Sequence, residues 1–141
     1  METTYNIFLD DNRQPIDAYK YTNRIEYKNF HWNIVDSYDA FVDLFTKKIM
    51  ENELPRIVSF DHDLATEHYL VAAKNLLNSF DESSVKIPTG WHALLWMINT
   101  YAANDIKLPH IMFHTKNPAG LKNMQALIDQ YEVNRKNKWT I

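Results

Sequence analysis

The sequence contains no cysteine, only two glycines and no long uninterrupted apolar run. Without cysteine there can be no disulfide and no thiolate ligand, so a bound metal would have to be held by oxygen or imidazole, which favours hard cations. With glycine confined to positions 90 and 120, the glycine-rich phosphate loops of Walker and dinucleotide folds are excluded. No apolar stretch approaches the ~20 residues that span a bilayer. The start, METTYNIFLDD, has neither a basic segment nor a small-residue cleavage site. These absences predict a soluble, cytoplasmic protein with no membrane partner. A net charge of -3 gives no basis for broad nucleic-acid binding, although Arg135, Lys136 and Lys138 make the C-terminal end locally basic.

What is present suffices for a core. The 141 residues are 45% hydrophobic and 13% aromatic, too apolar for a disordered chain and the right length for one domain over residues 1–141. Four short runs read as strands covered on both faces: Tyr5 to Asp10, Phe30 to Val35, Arg56 to Asp61 and His110 to His114. Between them lie helical stripes. Tyr38, Phe41, Val42, Phe45 and Ile49 mark one, with Asp36 or Ser37 as N-cap. Trp91, Leu94, Leu95 and Ile98 mark a second, capped by Thr89 and Gly90. Leu121, Met124, Leu127, Ile128 and Tyr131 mark a third that starts at Pro118. Strands alternating with helices predict an α/β fold: a parallel sheet of about four strands flanked by helices in three layers. Residues 12–29, polar and rich in tyrosine, read as a long loop. Residues 65–88 interrupt the alternation, and Tyr69, Ala72, Ala73, Leu76, Leu77 and Phe80 suggest an extra helix there, either a packing insertion or a lid.

Ligands of open parallel sheets bind beyond the carboxyl ends of the strands, so the residues after each apolar run are the informative ones. The first run ends in Asp10 and Asp11, followed by Arg13. The third ends in Asp61, His62 and Asp63, and the fourth in His114, Thr115, Lys116 and Asn117. Four carboxylates at one edge repel one another unless a positive charge sits among them. Mg²⁺ or Mn²⁺ on Asp10, Asp11, Asp61 and Asp63 is the economical answer, since these ions take carboxylate oxygens and bridge to phosphate. Asn117 and Pro118 begin a helix whose free N–H groups would attract an anion, with Gly120 allowing close approach and Lys116 adding charge. Ordinary capping explains the same residues, as turn chemistry explains Asp11 or Asp63 taken singly. His62 is a proton donor if its edge faces the substrate and a structural hydrogen-bonder if it turns inward. His31, His68, His92 and His110 read as structural or exposed.

Together, "FLDDNRQP", "SFDHDLA", "TGWHALLWM" and "FHTKNPAGLKNM" resemble the cyclic-phosphate processing receiver-like family, a divergent branch of the response-regulator receiver (flavodoxin-like) fold, from Ile7 to about Leu127. The resemblance implies a cation held by Asp10 and Asp11, Asp61 at the place of the receiver's phosphorylatable aspartate, and His62, Asp63, His114 and Asn117 as motif residues. The insertion is longer than the family leads one to expect, and a fifth strand and helix are missing. The function this suggests is hydrolysis of a cyclic phosphate of a nucleotide or ADP-ribose derivative, with Asp61, His62 and His114 catalytic and Arg13, Thr115, Lys116, Asn117 and Gly120 binding the phosphorylated small molecule. The alternative is a non-enzymatic receiver-like signalling or nucleotide-binding module.

Overall fold

A computed structural model describes residues 1–74 and 79–139 of the chain. Four parallel strands, β1 (Glu2–Leu9), β2 (Asn33–Val35), β3 (Glu53–Phe60) and β4 (His110–Phe113), form one sheet in the order β2-β1-β3-β4. The central pair is longer than the apolar runs predict. β1 and β3 pair from Glu2 and Glu53 onward, with register shifts around Tyr5 and Pro55, where proline supplies no N–H to the ladder. The second strand is shorter than predicted, because Phe30 ends a helical turn and only Asn33 to Val35 join the sheet.

Helices cover both faces. Alternation along β1 sends Ile7 and Leu9 to one side and Phe8 to the other, so a single strand feeds two cores. On the first side Phe41 and Phe45 of α3 (Tyr38–Met50), Leu94 and Met97 of α5 (Gly90–Ala103) and Met124 of α6 (Pro118–Trp139) pack with Val58 and Phe60. Each side chain fully buried there contributes ~1.5–3 kcal/mol. Both caps expected for α3 and α5 are present: Ser37 Oγ accepts from Ala40 N–H, and Thr89 Oγ1 accepts from Trp91 N–H.

The second core corrects the reading of residues 12–29 as a loop. They form α1 (Pro15–Thr22) and α2 (Glu26–Asn29), whose Ala18 and Tyr27 pack on Phe8, Trp32, Ile57 and Met112. Pro15 opens α1, Gln14 and Asp17 cap it reciprocally, and Asn23 ends it in the left-handed conformation at φ 57°. Within residues 65–88, α4 (Thr66–Lys74) precedes a short helical turn at Glu82–Ser84. Leu76 and Leu77 of its predicted stripe lie outside the described residues. Among the described residues, no helix is long and apolar enough to cross a membrane.

Candidate active site

From β1 the chain proceeds to β2 on one side, while β3 pairs on the other, so the carboxyl ends of β1 and β3 lie together where connections diverge. Asp10 N–H donates to Val35 O at 3.0 Å and Asp61 N–H to Leu9 O at 3.0 Å, extending the ladder by one residue past each strand. Backbone pairing therefore delivers both carboxylates to one place. One oxygen from each of Asp10, Asp11 and Asp61 lies within 4.8 Å of the others.

The three carboxylates differ in environment. Asp10 is buried, yet it accepts from the N–H groups of Asn12 (2.8 Å) and Arg13 (2.9 Å) and from His114 Nε2 (3.0 Å). Burial alone would raise its pKa; the bond to His114 and the two backbone donors outweigh burial and hold it below the ordinary carboxylate value. Asp11 is shifted upward by partial burial and by the charge of Asp10. Asp61, 2% exposed, is pushed up to about 7 by burial and by Asp10, with Arg13 opposing. Its Oδ1 accepts from His62 N–H, but its buried Oδ2 has no hydrogen-bond partner. An orphaned carboxylate oxygen beside two others, with no cysteine thiolate in the chain, fits a hard divalent cation of the Mg²⁺ or Mn²⁺ type.

Arg13 reaches over this cluster, its Nη1 3.6 Å from Asp10 Oδ2 and 3.9 Å from Asp61 Oδ1. A cleft of about 380 Å³ opens beside it, lined by Asp61, Lys116, Asn117 and Pro118 from the strand ends and by Tyr69 and Ala72 from α4. Helix α4 thus forms a wall of the cleft. A mainly apolar groove of similar volume between α5 and α6 shares none of these residues.

Both histidines expected to be catalytic point into the protein. His114 stacks on Phe8 with centroids 4.1 Å apart, and its Nδ1 lies 2.7 Å from Ser59 Oγ, which lies 2.6 Å from Tyr27 OH. Burial keeps its imidazole below the usual value against the pull of Asp10. It orients Asp10 from behind. His62 is fully buried, with Nδ1 2.6 Å from Asp63 and Nε2 2.8 Å from Glu82. Burial opposes its charge, but the two carboxylates prevail and raise it to about 9, making it an imidazolium that donates from both nitrogens.

Besides His62, Glu82 collects two further donors: Thr89 Oγ1 at 2.9 Å and Asn123 Nδ2 at 2.7 Å. Asp63 is engaged by His62 and by Asn117 Nδ2 at 3.0 Å, which places it outside the cluster of Asp10, Asp11 and Asp61. Asn117 also caps α6, accepting from Gly120 N–H at 3.0 Å. The two glycines serve this knot. A Cβ on Gly90 would lie 1.8 Å from Asp61 O, and one on Gly120 would lie 2.3 Å from His62 Cγ. Gly120 therefore meets His62, whereas the sequence reading gave it to a substrate. Thr115 Oγ1 accepts from Asn117 N–H at 3.1 Å, and Lys116 is exposed with its Nζ 4.5 Å from the centre of the Tyr21 ring.

Of the other histidines, His68 is buried and structural. Leu64 N–H donates to its Nδ1, so Nε2 carries the proton donated to Ile87 O, tying together the two ends of the 65–88 segment. His92 belongs to the cap of α5, and His31 and His110 are exposed. Sequence reasoning missed Glu82, Tyr21 and Tyr69. Among comparisons with known proteins, the family model of the cyclic-phosphate processing receiver domain matches residues 5–130. The searches of curated proteins and of solved structures found no match.

Proposed function

The chain belongs to the cyclic-phosphate processing receiver domain family, and from that membership and the cleft we propose that it hydrolyses a cyclic phosphate of a nucleotide or ADP-ribose derivative with the help of a divalent cation. The observation that carries this reading is the unpartnered, buried Asp61 Oδ2 inside a three-carboxylate cluster at the switch point of the sheet. Asp10, Asp11 and Asp61 would hold the cation, which when bound supplies charge neutralisation for a phosphate and for the water beside it. Arg13 and Lys116 bind the remaining phosphate oxygens, and the N-terminus of α6 at Asn117 and Pro118 adds its positive dipole end.

Hydrolysis adds water across one ester bond: its oxygen joins phosphorus, the bond from phosphorus to a sugar oxygen breaks, and a proton ends on the released hydroxyl. His62 and His114 have both ring nitrogens engaged internally and do not line the cleft. Asp61 does line it, and a carboxyl pushed up to about 7 exchanges a proton near neutrality when no cation is bound. That arrangement supports a metal-free variant with Asp61 as acid and base. The test is turnover of 2′,3′-cyclic nucleotides and ADP-ribose cyclic phosphate in Mg²⁺, Mn²⁺ or EDTA, beside Asp61→Asn. Loss in EDTA supports the cation; activity that survives both EDTA and Asp61→Asn sinks both variants.

The inward placement of both histidines favours, to that extent, a second reading: a non-enzymatic receiver-like module that binds a nucleotide or accepts a phosphoryl group on Asp61. It predicts labelling of Asp61 by acetyl phosphate with no turnover of cyclic phosphates.

A further inference from the structure

A second cleft, of about 470 Å³, lies on the α1 side of the site and is lined by Asn12, Arg13, Asp17, Lys20, Tyr21 and Lys116. It shares Arg13 and Lys116 with the first cleft, so the two adjoin across these cations. Tyr21 stands at the junction. Its hydroxyl donates to the backbone carbonyl of His114 and receives a bond from Arg13 Nη1 at 3.3 Å. The Arg13 guanidinium lies 5.6 Å from the centre of its ring and the Lys116 ammonium 4.5 Å. With cations against it, the ring is a poor platform for a nucleobase; it positions positive charge instead.

The charge of this cleft is unbalanced. Among the described residues Lys20 and Lys116 have no carboxylate partner within salt-bridge distance, and the one acidic lining residue, Asp17, is engaged at the start of α1, accepting from Gln14 N–H at 2.8 Å. With Arg13 paired to Asp10 and Asp61, the two unpaired lysines outweigh the single carboxylate of Asp17, and the net positive field favours an anion.

Resting on the hydrolase reading above, we infer that the α1-side cleft is a second anion subsite, in which Lys20 binds a further phosphoryl group of the substrate while Arg13 and Lys116, which border both clefts, hold the reacting phosphate at Asp61. The substrate class is then a cyclic phosphate ester that carries a second phosphate elsewhere on the same molecule. Tyr21 is the positioning residue that fixes the spacing between the two.

The test compares adenosine 2′,3′-cyclic phosphate with and without a 5′-phosphate, by calorimetric binding and by turnover, for the wild-type chain, Lys20→Gln and Lys47→Gln on α3. The 5′-phosphate is expected to tighten binding by about tenfold, the order of one charge-assisted contact in an open cleft. Lys20→Gln should remove most of that gain, and Lys47→Gln, which deletes the same charge elsewhere, should preserve it. Equal affinities for the two compounds, or a gain that survives Lys20→Gln, overturn the subsite even if both are hydrolysed. A 5′-phosphate gain lost in Lys20→Gln, without turnover of either compound, sinks the hydrolase reading and keeps the subsite. Binding of neither compound overturns both.

Discussion

Replacing Glu82 by glutamine deletes one negative charge from the knot that holds β3, α5, α6 and the 65–88 segment together. Its two oxygens receive His62 Nε2, Thr89 Oγ1 and Asn123 Nδ2, so an amide there sets an N–H₂ group against a donor. A His62 value of about 9 against an ordinary 6.5 corresponds to roughly 3 kcal/mol of preference for the charged, folded form, shared between Asp63 and Glu82. Half of that, plus ~1 kcal/mol for a mismatched hydrogen bond, makes Glu82→Gln destabilising by about 2–3 kcal/mol. In a chain of this size the loss lowers Tm by roughly 10 °C. Because folding raises this pKa, the stabilisation is complete below the unfolded value of 6.5 and is lost as pH rises through about 9. Asp61, pushed up to about 7, works at lower pH: folding disfavours its charged form, and that loss is complete once both states are ionised. Urea denaturation followed by circular dichroism in EDTA, from ~pH 7.5 to 9, reads the His62 contribution before the tyrosines, whose values burial raises further, begin to ionise in the unfolded chain. Wild-type stability should fall across that range and the Glu82→Gln curve should fall less. A variant as stable as wild type with the same pH dependence would refute the buried imidazolium.

Other perturbations have equally definite outcomes. Asp61→Asn removes a carboxylate whose ionisation folding disfavours, so in EDTA at ~pH 8 it should stabilise the chain by about 1–2 kcal/mol while abolishing any Tm rise with Mn²⁺, both read by thermal melts. Gly120→Ala forces a Cβ to 2.3 Å from His62 Cγ and should cost at least ~3 kcal/mol by urea titration; a neutral result would contradict the tight packing of α6 on His62. His114→Ala removes the donor behind Asp10 and the ring stacked on Phe8 and should destabilise by about 2–4 kcal/mol, whereas Tyr27→Phe, which keeps its ring and loses only the contact with Ser59, should cost about 1 kcal/mol.

The ends of β1, β3 and β4 were legible because an apolar run that stops at Asp10, Asp61 or His114 marks where a buried strand leaves the sheet. Parallel pairing then brings such ends together. The direction in which His62 points was not legible. Its partner Glu82 lies 20 residues away in a short polar turn, and nothing in that local sequence distinguishes it from a solvated loop. For α1 a signal was present: Pro15 at the first helical position and Asp17 at the third are a helix start, and the polar, tyrosine-rich composition hid it. With α1 read as loop, Lys20 and Tyr21 had no place in the site. The role of α4 as a cleft wall depended on where that helix docks, a tertiary matter that periodicity does not encode.

The hydrolase activity requires that a cyclic phosphate be opened at Asp61. Phosphorus NMR of adenosine 2′,3′-cyclic phosphate and its 5′-phosphorylated form, followed with the wild-type chain in Mg²⁺, measures this directly. The cyclic-ester resonance should give way to a monoester resonance with wild type and persist with Asp61→Asn. A resonance unchanged by wild-type protein that calorimetry shows to have bound both cation and ligand would contradict the hydrolase and leave a binding module.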